Sequence, residues 1–552
     1  MGARLEGTVM HRKGCDFLIA GFFICVAVGS QPSEAQYTAN FQTNLISGVA
    51  SNWTPDYYVG NTTFGDVLLI QNSGVLSNGL GFLGYNVSSS NNTVALTGSG
   101  SVWSNRWGFY VGYSGAGNNL VISNGGQVVS DPSGSNNYAD YIGNNASSSN
   151  NTVLVTGSGS VWNDGQRLYV GYSGAGNSLV ISNGGQVVDN SGTLGNNPSG
   201  SNNTVLVADA GSIWSNVSTL VIGVSGPGNT LVISNAGQVV NTVGSLGGGL
   251  NVGGSHSNNV FVTGSGSVWN NNGGLYVGGG KGFGNTLFID DGGVVTSTNG
   301  VVIPDNHVVV TGTGSVWSNS GDLYLGVYAS AATMVISNDG QVINNAGYVG
   351  STGSGNSVHV ASGGVWQNNA LIVGNQGSSN SLAIAGGAVS ATNLVIGAAS
   401  VTCDNFVQLD SGTLALTNGS GNAVFEVRHG KLILNGGVLQ ADTLVMTNPC
   451  ASFVHTGGTL IVGNVILDPN TFRIVSVVRQ SNDMLVTWMM GPGATNTLQA
   501  TAGDGNGGYT TNGFTDIFIV TNNRAIGTVT NYLDLGAATN KTARYYRARL
   551  VP

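Results

Sequence analysis

An eight-residue phrase recurs along this chain in two forms, and a chain built that way has few folds open to it. One form is Val155-Thr-Gly-Ser-Gly159-Ser-Val-Trp162; the other is Ile181-Ser-Asn-Gly-Gly185-Gln-Val-Val188. Aligned end to end, they share an aliphatic residue first, Thr or Ser second, Gly fifth and Val seventh, and they differ at the eighth place, Trp against Val. The pair returns at Leu96–Trp103 and Ile122–Val129, at Val207–Trp214 and Ile233–Val240, and at Val310–Trp317 and Ile336–Ile343. Short β-type phrases with Gly at fixed positions, repeated at a steady period, are the mark of a stacked solenoid, which grows in one direction without thickening its core.

The spacing refines this. Trp53, Trp103, Trp162, Trp214, Trp269, Trp317 and Trp366 mark repeats of 48 to 59 residues. From Trp to the next Ile phrase the step is 19 residues in four repeats and 20 in Trp269–Ile289. The return step varies from 28 residues (Ile289–Trp317) to 40 (Ile122–Trp162), so one arm is fixed and the other accepts insertions. Within each half-repeat a short strand ends in Val/Ile-Gly, as at Val170-Gly171. A Gly/Ser/Asn turn follows, then an alternating strand such as Thr152–Thr156 or Ser178–Ser182. Alternation of β-branched and polar residues between Gly and Asn predicts strands. One half-repeat therefore suits one coil of a parallel β-helix. Some sixteen to eighteen coils between about 41 and 470 would make a rod of roughly 80 Å at the ~4.8 Å strand spacing.

Three residue types follow from that expectation. The fifth-position Gly suits a bend where a Cβ would clash or φ must be positive. The runs Asn91-Asn-Thr93, Asn150-Asn-Thr152 and Asn202-Asn-Thr204 recur in register and are expected to stack as polar ladders between coils. The Trp residues are read as packing residues alternating with Val along one edge. The alternative is an exposed aromatic row that stacks on sugar rings.

After Trp366 the phrases change to Asp410-Ser-Gly412-Thr-Leu414, Asn435-Gly-Gly437-Val-Leu439 and Thr456-Gly-Gly458-Thr-Leu460, and the solenoid is expected to end near Pro469. The alternation of Leu-x-Ile-Ser-Asn-Gly-Gly with Val-x-Val-Thr-Gly-x-Gly-Ser-x-Trp resembles the repeat of type V secretion (autotransporter) passengers and of PEP-CTERM-sorted bacterial proteins. The later Gly-Gly-Thr-Leu phrases are similar to the autotransporter-associated β-strand repeat. The resemblance covers about 50–470. It implies a right-handed parallel β-helix (β-solenoid) exported by a Gram-negative-type bacterium, and it carries no catalytic residues. The residues after 470 are too few for a usual single-chain translocator barrel, and they lack a Pro-Glu-Pro, apolar-helix and basic-tail ending. Residues 471–552 read as a small β-sandwich-like domain, a cap, anchor or sorting tail, with strands at Phe472–Val478, Met484–Trp488, Thr515–Val520 and Ala543–Leu550.

Residues 1–35 read as a signal peptide: Arg4, Arg12 and Lys13, then the apolar run Phe17–Val28, then Ser33-Glu-Ala35. Twelve apolar residues are too few to span a bilayer, so no transmembrane segment is expected in the mature chain. The expected localisation is extracellular or on the outer cell surface, or in the periplasm. Charge supports an exported binding surface of a restricted kind. Residues 36–427 hold fifteen acidic residues against Arg106, Arg167 and Lys281, whereas 428–552 are net basic, with nine basic residues and six acidic. Nucleic acid and anionic membranes both want Lys and Arg, so neither is an expected partner of the repeats. Cys15 and Cys25 fall in the signal. Cys403 and Cys450 open equivalent phrases two coils apart, roughly 10 Å at the strand spacing. That is beyond the ~7 Å Cα limit for a disulfide, so two free thiols are expected.

Candidate chemistry is sparse. His256, His307, His359, His429 and His455 lack zinc-ligand spacing, and no phosphate loop or calcium-loop motif appears. Asp290-Asp291 is the one paired-acid site, but it occupies the Ser-Asn positions of the repeat and reads as a solvated turn. Glu426, Arg428, His429 and Lys431 form the one mixed charged cluster, and Glu426 and Arg428 share a strand face as an expected exposed salt pair. No catalytic, cofactor-binding or metal residues are assigned. The expected function is a non-catalytic surface or extracellular adhesin or structural scaffold, with extracellular polysaccharide, cell-surface glycans or proteins as partners. The insertion-bearing segments Ser130–Tyr141, Asp189–Leu194 and Asn241–Asn251 would form loops on one face. The alternative is a polysaccharide-degrading parallel β-helix enzyme, lyase or glycoside hydrolase.

Overall fold

Alternating strands bounded by Gly turns stack here into a parallel β-solenoid of about sixteen turns. The computed structural model describes residues 37–552 except 131–137, 249–253, 281, 328–330, 400–401, 468–472, 492–494, 504–507, 524–527, 540–542 and 552. The signal segment with Cys15 and Cys25, Lys281, Phe472 and the predicted end at Pro469 lie outside the described residues.

Each phrase, Trp-form or Val-form, is one coil of three strands. In the coil that opens at Thr152 these are Thr152–Thr156, Val161–Asp164 and Arg167–Val170. The next coil repeats them in parallel register, Val153 over Leu179 and Val155 over Ile181. Alternate residues point inward. Val153, Val155, Leu179 and Ile181 are buried and their neighbours are not, the period-2 pattern that makes one face core and the other surface. The resulting core is a single continuous cluster from Tyr37 to Leu467. Each fully buried Val, Leu or Ile contributes about 1.5–3 kcal/mol, which lets a chain with few charged residues and no helical layer hold together.

Six of the seven repeat Trp side chains, Trp103 to Trp366, are fully buried, so they are packing residues and not an exposed sugar-stacking row. They do alternate with Val, but with a different Val from the one the end-to-end alignment pairs. Trp162 stands beside Val128 and Val187, not Val188. Five residues (156–160) make the turn in the Trp form and four (182–185) in the Val form. A one-residue slip exchanges inside for outside, so Val187 is buried and Val188 faces out. The fifth-position glycines differ accordingly. Gly159 has φ +81, whereas a Cβ on Gly185 would overlap the Val155 carbonyl.

Of the three insertion-bearing segments, the inserted residues 131–137 and 249–253 lie outside the described residues. Residues 131–137 fall between the second and third strands of a coil, and 249–253 between the third strand and the next coil's first. Asp189–Leu194 is no loop at all. It belongs to the strand Gln186–Leu194, which turns the corner through a register shift between Asp189 and Ser191.

Cys403 and Cys450 form a disulfide, with Cα atoms 5.4 Å apart, and are not free thiols. Their strands are indeed two coils apart, since Asn405 pairs with Gly430 and Gly430 with Ala451. Both cysteines, however, precede those strands, on the corner loops. The coil between them turns that corner with only Arg428 and His429, between Val427 and Gly430. The flanking loops meet over this short corner.

After the last solenoid strand, Thr459–Leu467, two three-stranded antiparallel sheets form the small domain. One sheet holds Ile474–Gln480, Asp483–Met490 and Thr528–Asp534; the other holds Thr515–Thr521, Thr495–Ala502 and Arg544–Val551. Thr495–Ala502 and Thr528–Asp534 are additional to the four strands expected. Trp488 and Leu498 are buried between the sheets, and the Arg544–Asp534 ion pair at 2.6 Å joins them. Val475, Met489 and Val529 pack onto the solenoid core, so this domain covers the open last coil. A cleft of about 660 Å³ remains at the junction, lined by Phe453, Leu460, Val462 and Val529 among others.

Candidate functional site

Polar side chains in this solenoid form columns, one per strand position, and each column has its own job. The innermost is the asparagine ladder. Asn92, Asn118, Asn151, Asn177, Asn203, Asn229, Asn258, Asn285 and Asn306 are all fully buried, as are Asn356, Asn380 and Asn405. From Asn118 to Asn306, and at Asn380 and Asn405, each Oδ1 accepts from the backbone N–H and the side-chain Nδ2 of the Asn one coil before it, whereas Asn92 and Asn356 accept from the backbone N–H of Asp66 and Ala332. Between Asn151 and Asn177 both bonds are 2.9 Å. The glycine ending each third strand lies over this ladder. A Cβ on Gly143, at φ +78, would overlap the Asn177 amide, which is why Gly follows the third strand there. Ala332 interrupts the ladder, and Asn306 Nδ2 turns instead to the carbonyls of Gly282, Ile303 and Pro304. The ladder is structural, and its buried groups are satisfied.

A second inward column lies at the end of the second strands. Its residues are Asn78, Asn105, Ser130, Asp164, Asp189, Asn216, Asn241, Asn271, Ser297, Asn319, Asn344 and Asn368. Repeat Trp side chains use it: Trp103 Nε1 donates to Asn78 (2.6 Å), Trp214 to Asp189 (2.6 Å), Trp269 to Asn241 (2.7 Å) and Trp366 to Asn344 (2.8 Å). Trp162 instead reaches Asp140 Oδ2 (2.7 Å), in the third strand, Ala139–Ile142, of its neighbouring coil.

This column is where the molecule concentrates unusual chemistry. Asp140, Asp164 and Asp189 are 0%, 2% and 1% exposed. Asp140 has both oxygens engaged, by Phe109 N–H and Trp162. Asp164 accepts from Gln166 N–H at Oδ1 and Asp189 accepts from Trp214 at Oδ2. Burial pushes both Asp164 and Asp189 well above the usual carboxylate range. The charge of Asp140 adds to this in each case, and the Trp214 hydrogen bond opposes it at Asp189. The two acids floor a surface depression rimmed by Asn163, Gly165, Gln166, Asn190 and Val217. Sequence reading missed them. The signal was present as Asp in the place where other coils carry Asn, Val-Trp-Asn-Asp164 against Val-Trp-Ser-Asn105, but it shows only once the coils are in true register.

On the outer surface, aromatic rings stack from coil to coil. Tyr58, Phe82, Tyr110, Tyr141 and Tyr169 stand 4.8–5.2 Å apart with planes within 13°. Tyr85 and Tyr113 form a parallel row. Ring faces are consumed within the stack, so the row offers edges and hydroxyls. Burial raises Tyr110 to about 12, with the neighbouring Tyr113 and Asp140 adding to it.

The residues singled out from sequence are placed apart from these acids. Asp290 lies beside Thr263 at the end of a first strand and Asp291, exposed at φ +49, in the turn after it. Glu426 and Arg428 make a bidentate pair at 2.7 and 2.8 Å, with Arg428 also donating to the Ala398 carbonyl. His429 bonds the Gly397 carbonyl and Asn448, and Lys431 is exposed. The pair pins a corner of the solenoid. Among the described residues no helix is long and apolar enough to cross a membrane.

No known protein family matches this sequence, and no curated protein matches it. Among solved structures, the chain is similar to one described as the crystal structure of the TibC-catalyzed hyper-glycosylated TibA55-350 fragment. The match is 14% identical, covers 64% of this chain and 96% of that one, and has a TM-score of 0.33.

Proposed function

We propose that this chain is an exported, non-catalytic β-solenoid of the autotransporter-passenger kind that serves as a surface or extracellular adhesin or scaffold. The observation that carries the reading is the coil-by-coil repetition of the outer surface. Ser182 Oγ donates to Thr156 Oγ1 (3.0 Å) and Asn183 Nδ2 donates to the same oxygen (3.1 Å). Ser337, Asn338 and Thr311 repeat that arrangement six coils on, at 2.9 and 3.0 Å. Together with the tyrosine edges, these rows offer hydroxyls and amides at a fixed spacing, and a polymer laid along the rod meets the same weak contact many times. Avidity, not any single pocket, then sets the affinity. The ligand class that fits is a hydroxyl-rich polysaccharide or cell-surface glycan, and the near absence of Lys and Arg from 36–427 disfavours nucleic acid.

The competing reading is a polysaccharide-degrading enzyme, and the carboxylates of Asp164 and Asp189 on adjacent coils are the observation behind it. Glycoside hydrolysis uses two carboxyl groups about 5–9.5 Å apart on either side of an accessible bond. Both acids are nearly inaccessible, which favours the non-catalytic reading. The test is incubation of the purified chain with a panel of soluble and insoluble polysaccharides, scoring pulldown and released reducing or unsaturated ends. Retention without product is expected; released ends that vanish in Asp164→Asn would overturn it.

A further inference from the structure

Outside residues 130–216 the second inward column bonds from coil to coil in pairs, with Asn105, Asn319 and Asn368 each leaving only Nδ2 without a partner among the described residues. Asn78 donates to Asn105 (2.8 Å), Asn241 to Asn271 (2.6 Å), Ser297 to Asn319 (2.6 Å) and Asn344 to Asn368 (2.8 Å). Across the four consecutive coils of Ser130, Asp164, Asp189 and Asn216 no such bond forms. Ser130 Oγ, Asp164 Oδ2, Asp189 Oδ1 and both side-chain atoms of Asn216 are buried without a partner among the described residues. Ser130 and Asn216, at 1% and 2% exposure, directly flank the acids in register, Ser130 beside Asp164 and Asn216 beside Asp189. Neither acid has an ion-pair partner among the described residues. Two adjacent buried carboxylates with one free oxygen each are costly unless something positive sits between them.

We propose that Asp164 Oδ2 and Asp189 Oδ1 bridge a hard divalent cation of the Ca²⁺ class in the wall of the solenoid. Carboxylates on adjacent coils are separated by the strand spacing of ~4.8 Å, and two oxygens on opposite sides of a Ca²⁺ ion, at 2.3–2.6 Å each, stand about 4.6–5.2 Å apart. Mg²⁺, at ~2.1 Å, needs oxygens drawn closer than the coils allow and a near-ideal octahedron. Among the described residues no three His, Cys, Asp or Glu side chains converge on a point. The direct ligands are therefore the two carboxylates and water entering through the depression at Asn163, Gln166 and Asn190, while Ser130 and Asn216, one coil further out on either side, reach the ion only through such water. All are oxygen donors, which selects against Zn²⁺ and Cu²⁺. The burial that raises both acids is relieved by the same ion. Bridging two coils, the cation would lock the stretch whose column residues do not bond one another.

The test uses the full chain, stripped with chelator and titrated with Tb³⁺, whose emission Trp214 would sensitise because its indole N–H bonds Asp189. Saturable emission that Ca²⁺ displaces, with a Ca²⁺-dependent rise in thermal midpoint, is the expected result. Asp164→Asn and Asp189→Asn each restore the residue that this column carries at Asn105, Asn216 and Asn241, so both are expected to fold. Each should lose affinity by tenfold or more, whereas Asp291→Asn, in an exposed turn, should bind as the parent does. No Ca²⁺-displaceable emission from the parent, or equal binding by the Asp164→Asn/Asp189→Asn double variant, would overturn the assignment. The first result would make the acids a neutral structural pair; the second would put the ion elsewhere.

Discussion

Removing one rung of the asparagine ladder should open the solenoid locally, and Asn177→Ala is the cleanest case. Asn177 Oδ1 accepts from Asn151 N–H and Nδ2, both at 2.9 Å, and its Nδ2 donates to Asn203 Oδ1 at 3.1 Å. In the variant Asn203 Oδ1 keeps the Asn177 backbone N–H, and Asn151 Nδ2 keeps Ser148 Oγ at 3.1 Å. Only Asn151 N–H is left buried with nothing to bond. Orphaning one buried N–H costs about 1–3 kcal/mol, and two further lost bonds about 1 kcal/mol each, so the total is roughly 3–5 kcal/mol. Because a long solenoid need not unfold as one unit, amide hydrogen exchange is the fitting assay. The Asn151 amide should lose protection by roughly a hundred- to several-thousand-fold, at about 1.4 kcal/mol per tenfold, with the effect fading within a few coils. Asn183→Gly, which tolerates the left-handed backbone at φ +51 and removes only a side chain that reaches Thr156 and Ser182, should cost under about 0.5 kcal/mol. Equal exchange in the two variants would refute the view that the ladder carries a large share of coil-to-coil stability.

Two further outcomes follow from the same structure. Cys403 and Cys450 should show no thiol reactivity without reductant, and Cys403→Ser/Cys450→Ser should weaken the C-terminal coils. Closing 47 residues removes unfolded-state entropy worth about 4 kcal/mol in the loop-entropy account, and a thiol reagent that labels both cysteines in the native chain would contradict this. A second outcome concerns alkaline pH. Tyr110, raised to about 12 by burial, and Tyr141, raised further, keep their protons in the folded chain where the unfolded chain has lost them near 10. Their contribution to stability is therefore complete below about 10 and lost as pH rises through the folded values. Absorbance of tyrosinate should show a late-ionising subset that shrinks in Tyr141→Phe, and a single step near 10 would count against a tightly stacked row.

The repeating phrases of the sequence, by themselves, determined most of the architecture. Aliphatic residues two apart, flanked by Gly and Asn, can be satisfied only by short strands. Strands that recur at a constant step leave stacking as the one way to bury them. The buried Trp row and the in-register Asn ladder follow from the same periodicity. The four sandwich strands expected near the C-terminus are present, although Thr495–Ala502 and Thr528–Asp534, interrupted by Thr and Asn, carried too weak a pattern to be read.

What tertiary structure alone decided is where neighbouring coils meet. The Trp form has one more turn residue than the Val form, and only the backbone ladder between coils shows that Trp162 faces Val187. That single-residue offset also hides the acid pair, because Asp164 and Asp189 appear as neighbours only in the true register. The disulfide was misjudged for a related reason. Strand spacing sets how far apart two coils lie, but the two-residue corner at Arg428 and His429 decides what the loops above and below can reach. Periodicity along the chain is local and is written in residue types. Contacts between coils depend on turn length and hydrogen-bond register, which residue types constrain only weakly.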